Sequence, residues 1–265
     1  MKYAVNCSIL FKELPLFERV QAAKESGFEA VEYWWPFDTA EPAEKDVDTF
    51  VDAINDSGVQ LIGLNFFAGD MPAGDRGLVS WVEREAEFKA NVPVVMEIGK
   101  RTGCRAFNAL YGNRQKGVDI AQQDEIGAQN LAFAAKAAAE IEGVVLLEPV
   151  SGSPDYPLKK AAEVIAVMDR VKDDYGVSNI GFLADLYHLA ANGDDVDKVI
   201  ELYTARAAHC QIADSPGRGE PGTGDLPLKK YLDQMKARGY DNWVALEYNP
   251  TVETAQSFTH LPELL

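Results

Sequence analysis

VVLLEPV (144–150) runs an unbroken apolar stretch into Glu148 and then a proline. A strand that is apolar at every position is buried on both faces, the condition of a parallel sheet covered by helices. Seven further short β-rich runs accompany it: YAVNCS (3–8), AVEYWW (30–35), VQLIGLNFF (59–67), CRAFNAL (104–110), IGFLADLY (180–187), AAHCQIAD (207–214) and NWVALEY (242–248). Segments of helical period lie between them. LPLFERVQAAKESG (14–27) puts Leu16, Val20 and Ala23 on one face and stops at Gly27, a suitable C-cap. DVDTFVDAINDSG (46–58), IGAQNLAFAAKAAAEIEG (126–143), PLKKAAEVIAVMDRVKDDYG (157–176) and DLPLKKYLDQMKARG (225–239) likewise end in glycine. The triplets SGF, SGV, TGC and RGY at 26–28, 57–59, 102–104 and 238–240 predict one helix-to-strand turn used repeatedly.

Eight strands alternating with helices predict an α/β fold, a single (β/α)8 TIM barrel. The open doubly wound sheet is the main competitor, but it often carries a Gly-rich turn after its first strand. Here SILFKELP (8–15) follows, with no glycine. The length of 265 residues suits one barrel, which needs roughly 250. No linker or low-complexity tract divides the chain, so 1–265 is read as one domain.

A net charge of −17 opposes binding to nucleic acid, which needs clustered Lys and Arg, and docking on anionic membranes. Cys7, Cys104 and Cys210 form no CxxC pattern and each sits in an apolar run, as buried reduced thiols do. No apolar run approaches the ~20 residues of a membrane span, and no signal-peptide core follows the N-terminus. A cytoplasmic protein is expected, with self-association left open.

Chemistry in such a barrel sits at the carboxyl ends of its strands. Four late strands end in polar groups: Glu148, Asp185, Gln211 and Glu247. Converging carboxylates repel one another, and a divalent cation is the simplest partner. Three carboxylates and an amide oxygen form an all-oxygen set that suits Mg2+ or Mn2+. Taken singly, each residue has a plain alternative, such as capping a helix or pairing with lysine. Their joint placement on consecutive strand ends is what points to a site. His188, one turn after Asp185, reads as a donor to a substrate oxygen or a backbone-bonded histidine. His209 reads as a second inward residue or a core one, and His260 as structural. Trp34, Trp35 and Phe37 read as a pocket wall or as core. Arg218, the cation of the loop SPGRGEPGTGD (215–225), reads as a carboxylate clamp or as a surface partner of Glu220 or Asp225.

QIADSPGRGEPGTGDL (211–226) closely resembles the corresponding stretch of the hydroxypyruvate isomerase family of xylose-isomerase-like TIM barrels. LEPV (147–150), DLYH (185–188), LEYNP (246–250), GDMPAGDRG (69–77) and SILFKELPLFER (8–19) are similar to other stretches of that family. The resemblance implies that Glu148 and Glu247 are the catalytic pair and also metal ligands. It implies that Asp185 and Gln211 complete the cation site, with His188 and Arg218 beside a small sugar-acid substrate. Related sugar epimerases commonly carry histidine at the position of Gln211. Gly219 departs from the family, where many relatives carry a larger residue, and this bears on substrate length. The implied activity is an aldose–ketose type isomerisation of hydroxypyruvate to tartronate semialdehyde through an enediolate. The alternatives are an isomerase or epimerase of a longer sugar acid such as a 2-oxo-tetronate, and a barrel that binds sugar acids without catalysis. A DNA-repair nuclease would need a histidine-rich multi-zinc site, and the chain has three histidines.

Overall fold

All eight runs form strands in the computed structural model, which describes residues 1–259 and Leu261; His260 lies outside the described residues. The strands are β1 (Lys2–Asn6), β2 (Ala30–Tyr33), β3 (Gln60–Asn65), β4 (Ala106–Asn108), β5 (Val144–Leu147), β6 (Ile180–Asp185), β7 (Ala207–Ile212) and β8 (Trp243–Leu246). The connecting helices are α1 (Arg19–Glu25), α2 (Glu44–Ser57), α3 (Glu85–Thr102), α4 (Ile120–Ala139), α5 (Ala161–Tyr175), α6 (Leu186–Ala191), α7 (Val196–Tyr203) and α8 (Leu228–Ala237), followed by α9 (Thr254–Ser257). Each strand pairs in parallel with the next, and β1 returns to β8 with Tyr3 opposite Val244 and Val5 opposite Leu246. The sheet is therefore a closed barrel.

Helix faces explain the outer layer. α2 buries Val47, Phe50, Val51 and Ile54, the spacing of one helical stripe. Phe50 meets Tyr33 of β2 edge-on with ring centroids 5.2 Å apart, a geometry worth about 0.5–1.5 kcal/mol beyond the area it buries. The apolar pattern alone does not mark α3, because Pro93 interrupts it; the proline sits inside the helix. The repeated turn is present: Gly27, Gly58, Gly103 and Gly239 all have positive φ. Gly143 differs. α4 ends at Ala139, four residues earlier than the glycine suggests, and the left-handed residue there is Glu142. Gly143 is small for another reason: a Cβ would come 2.9 Å from the Phe107 ring.

Inside the barrel the residues are layered by the two-residue period of the strands. Ala4, Ala30, Ile62 and Ala245 form a small apolar cluster of their own. Two positions further along stand Asn6, Glu32 and, just past the end of β8, Glu247, all buried. Small residues low in the barrel thus give way to polar ones towards the carboxyl ends of the strands. The three cysteines are buried and unpaired, and burial pushes their thiols up, which keeps them unreactive. No helix among the described residues is long and apolar enough to cross a membrane.

Candidate active site

A cavity of about 410 Å³ opens at the carboxyl ends of the strands. Glu148 follows β5 directly, Glu247 follows β8, and both line it together with His188, Arg218, Trp34 and Asn65. Asp185, the last residue of β6, caps α6 by accepting from the His188 backbone N–H at 2.9 Å. Oxygen or nitrogen atoms of Glu148, Asp185 and His188 lie within 4.8 Å of one another. The two glutamates thus share one cavity, as the strand-end placement requires. Glu148, Asp185 and Glu247 are 5%, 1% and 4% exposed, so each carboxylate is removed from water.

Their surroundings differ. The Asn108 side chain donates to Glu148 Oε1 at 2.7 Å. Glu247 is held on both oxygens: Trp34 Nε1 (2.6 Å) and Asn6 Nδ2 (3.1 Å) donate to Oε1, and Arg218 donates to Oε2 at 2.6 Å. Burial pushes Glu148 well above the ordinary carboxylate range, and the charges of Glu247 and Asp185 push it further. Burial brings Asp185 up to about 6 and Glu247 up to about 7, with Arg218 opposing the rise in each. The His188 ring is driven down to about 3 by burial and by the charge of Arg218. The Ser151 backbone N–H donates to its Nδ1 at 3.1 Å, so the neutral ring carries its proton on Nε2. That N–H is a donor fixed in the cavity wall.

The residues present suit a cation. Three buried carboxyl groups whose ionisation is penalised need positive charge nearby. Gln211 Oε1 is buried and has no hydrogen-bond partner, while its neighbour in the β6–β7 register is Asp185. An orphaned acceptor at the height of a carboxylate is what an oxygen-ligated site leaves when its ion is not counted. Among the described residues the group that could hold a metal, Glu148, Asp185 and His188, contains one histidine, far from the histidine-rich set of a multi-zinc nuclease.

Arg218 pairs with Glu247 and lies 5.4 Å over the Tyr187 ring. It does not pair with Glu220, which instead accepts from the backbone and hydroxyl of Thr251. Its Nε is buried without a partner, leaving a donor for another anion. Of the three aromatic residues after β2, Trp34 alone reaches Glu247; Trp35 donates to the Thr39 carbonyl and Phe37 packs edge-on to Phe50. Asp214 organises the loop that carries Arg218, accepting from the backbone N–H groups of Ser215, Gly222 and Leu226. Gly219 is closely packed there: a Cβ would fall 2.4 Å from Thr223 Oγ1.

The polar ends are not confined to the four late strands. Asn6, Glu32, Asn65 and Asn108 occupy the same place on β1 to β4, and all are buried. The signal is one polar residue breaking each apolar run, as in VVLLE; three of these four are amides, and Glu32 carries the mark as an acid. Arg76, from the loop after β3, also lines the cavity, its NH1 bound to the Met71 and Asp75 carbonyls. Ser151, which orients His188, has no marker in sequence beyond following LEPV.

Comparison with known proteins agrees with this fold. The Xylose isomerase-like TIM barrel family model matches residues 20–264. A Streptomyces coelicolor protein provisionally named a hydroxypyruvate isomerase is 51% identical, over 98% of this chain and 95% of its own. A 2-oxo-tetronate isomerase of Cupriavidus necator is 31% identical, over 96% and 95%. A Brucella melitensis crystal structure described as an AP endonuclease of family 2 superposes with a TM-score of 0.89 at 30% identity, covering 99% of both chains. With a closed eight-strand barrel, a carboxylate cluster at its mouth and relatives of these names, the chain belongs to the xylose isomerase-like TIM barrel family, in its hydroxypyruvate isomerase branch, and is an isomerase.

Proposed function

We propose that the chain interconverts hydroxypyruvate and tartronate semialdehyde through an enediolate, with Glu148 and Glu247 moving the carbon-bound proton. The observation that carries this reading is that these two glutamates, from β5 and β8, line one cavity. A carboxylate positioned within reach of a substrate carbon can take a proton from it or return one. One glutamate removes a proton from C3 and the other delivers one to C2, while the hydroxyl proton passes from O3 to O2. A divalent cation of the Mg2+ or Mn2+ type, held by Glu148, Asp185, Gln211 and Glu247, supplies stabilisation of the charge that develops on the substrate oxygens. His188 Nε2–H donates to a substrate oxygen. The free donors of Arg218 hold the substrate carboxylate, and the Tyr187 ring beneath its guanidinium fixes that plane.

The four-carbon 2-oxo-tetronate is the second reading. It is favoured by a cavity of about 410 Å³, which leaves room beyond a three-carbon acid, and by the name of the 31% identical relative. A panel of three-, four- and six-carbon substrates in deuterated water tests both. The first reading requires deuterium at C2 of the product and the highest kcat/KM on the three-carbon acid. A tenfold preference for the four-carbon acid would replace it with the second. Protium retained at every position would remove the proposed proton transfer.

A further inference from the structure

We propose that Glu32, clamped by His209, is a positioning residue that fixes which end of the Gln211 amide is presented to the cation; this rests on the cation reading above. Glu32 stands on β2 and is buried inside the barrel. Three donors converge on its carboxylate. Asn6 Nδ2 lies 2.8 Å and Gln211 Nε2 lies 2.6 Å from Oε1, and His209 Nε2 lies 2.6 Å from Oε2. An ionised carboxylate accepts and never donates. Gln211 must therefore turn its NH2 group towards Glu32, and its oxygen is turned away. That oxygen is the buried atom without a partner, on the residue registered with Asp185.

Left to itself a glutamine amide has two nearly isosteric orientations, and only one offers a lone pair to a metal. Glu32 removes the choice. Gly63, its neighbour in β3, leaves it room: a Cβ built there would lie 3.2 Å from the Glu32 Cβ and Oε2. The same Asn6 nitrogen that donates to Glu32 also donates to Glu247. Glu32 thus reaches two ends of the site, Gln211 directly and Glu247 through Asn6, without lining the cavity. Groups behind the ligands of a metal typically set its affinity by 10–100-fold.

The test is a double-mutant cycle on Mn2+ affinity, read from the EPR signal of free Mn2+ with the full chain, with thermal melting recorded alongside. Glu32→Gln should weaken Mn2+ binding about tenfold or more. Gln211→Ala should do the same, and the double variant should be no more than about threefold weaker than Gln211→Ala alone. A Glu32→Gln protein that binds within twofold of the unaltered chain, or losses that multiply in the double variant, overturns the proposal. If Glu32→Gln does not fold, Gln211→Glu decides. The added carboxylate faces Glu32 and should not improve Mn2+ affinity, whereas a tenfold tightening overturns the positioning role. Absence of Mn2+ binding by the unaltered chain overturns the cation reading itself and this inference with it, an outcome distinct from the others.

Discussion

Glu32 and Glu148 are both buried carboxylates at strand ends of one barrel, yet their acidities are displaced in opposite directions. Burial alone would push Glu32 up, but His209, Gln211 and Asn6 together hold it below the ordinary range. Glu148 has one donor, Asn108, and two carboxylate neighbours, and it is pushed well above that range. The burial is alike and the number of partners differs. Around Glu32 the chain completes its own hydrogen bonding. Around Glu148 and Asp185 it leaves a deficit of positive charge, the one nearby guanidinium, Arg218, being paired with Glu247. A well-satisfied cluster rigidifies a core, and an unsatisfied one marks where something else must bind.

The largest effect expected from that difference is on turnover. Glu247→Gln should lower kcat on the order of 10³-fold, the middle of the range for positioned acid–base groups, while circular dichroism stays unchanged. Near-normal turnover would remove Glu247 from the mechanism. Stability should respond in the opposite sense. His209→Ala leaves Glu32 buried without one of its three donors and should cost about 1.5–3 kcal/mol, as losing a buried hydrogen bond to a charged group does. Glu148→Gln in chelator-treated protein should be neutral or stabilising, because it removes a penalised charge. Urea denaturation of both variants decides this, and equal losses would erase the distinction between the clusters.

The pH dependence sharpens the same comparison. Asp185 and Glu247 titrate at about 6 and about 7 in the folded chain, against about 4 for unperturbed carboxylates. The folded metal-free protein therefore holds more protons than the unfolded one, and this contribution is present at acid pH and lost as pH rises from about 4 through 7. Glu32 has the reverse sign: its contribution holds above the ordinary carboxylate range and is lost only in acid. Chelator-treated protein should melt at a lower temperature at pH 8 than at pH 6. Mn2+ should flatten or reverse that trend, since it binds the ionised groups. A melting temperature that rises from pH 6 to pH 8 in chelator would contradict the raised acidities. The smallest effect is expected at Arg76, on the cavity wall but outside the carboxylate cluster. Arg76→Ala removes a positive charge from the cavity wall and should raise KM for an anionic substrate by about threefold to tenfold, with kcat within threefold.

The barrel was legible because its signals are local and repeated. Each strand is an apolar run such as VVLLE, and glycines at 27, 58, 103 and 239 close the helices before the next strand. One boundary differs for a physical reason: Gly143 serves Phe107 rather than a helix cap. The helix Glu85–Thr102, with Pro93 inside it, is not among the helical segments read from the sequence. At the site, Glu148, Asp185, Gln211 and Glu247 were visible as polar residues ending apolar strands. Glu32 carries the same mark within AVEYWW. What sequence could not show is that it lies across the barrel from His209 and Gln211, a contact spanning 177 and 179 positions. The tie between Arg218 and Glu247 is hidden in the same way, because it depends on a loop fold built around Asp214.

Crystals grown with Mn2+ and measured at the manganese absorption edge test the central claim most directly. One anomalous peak should appear about 2.0–2.3 Å from oxygens of Glu148, Asp185, Gln211 and Glu247. A fully occupied manganese elsewhere in the chain, with these four side chains left unligated, would contradict it.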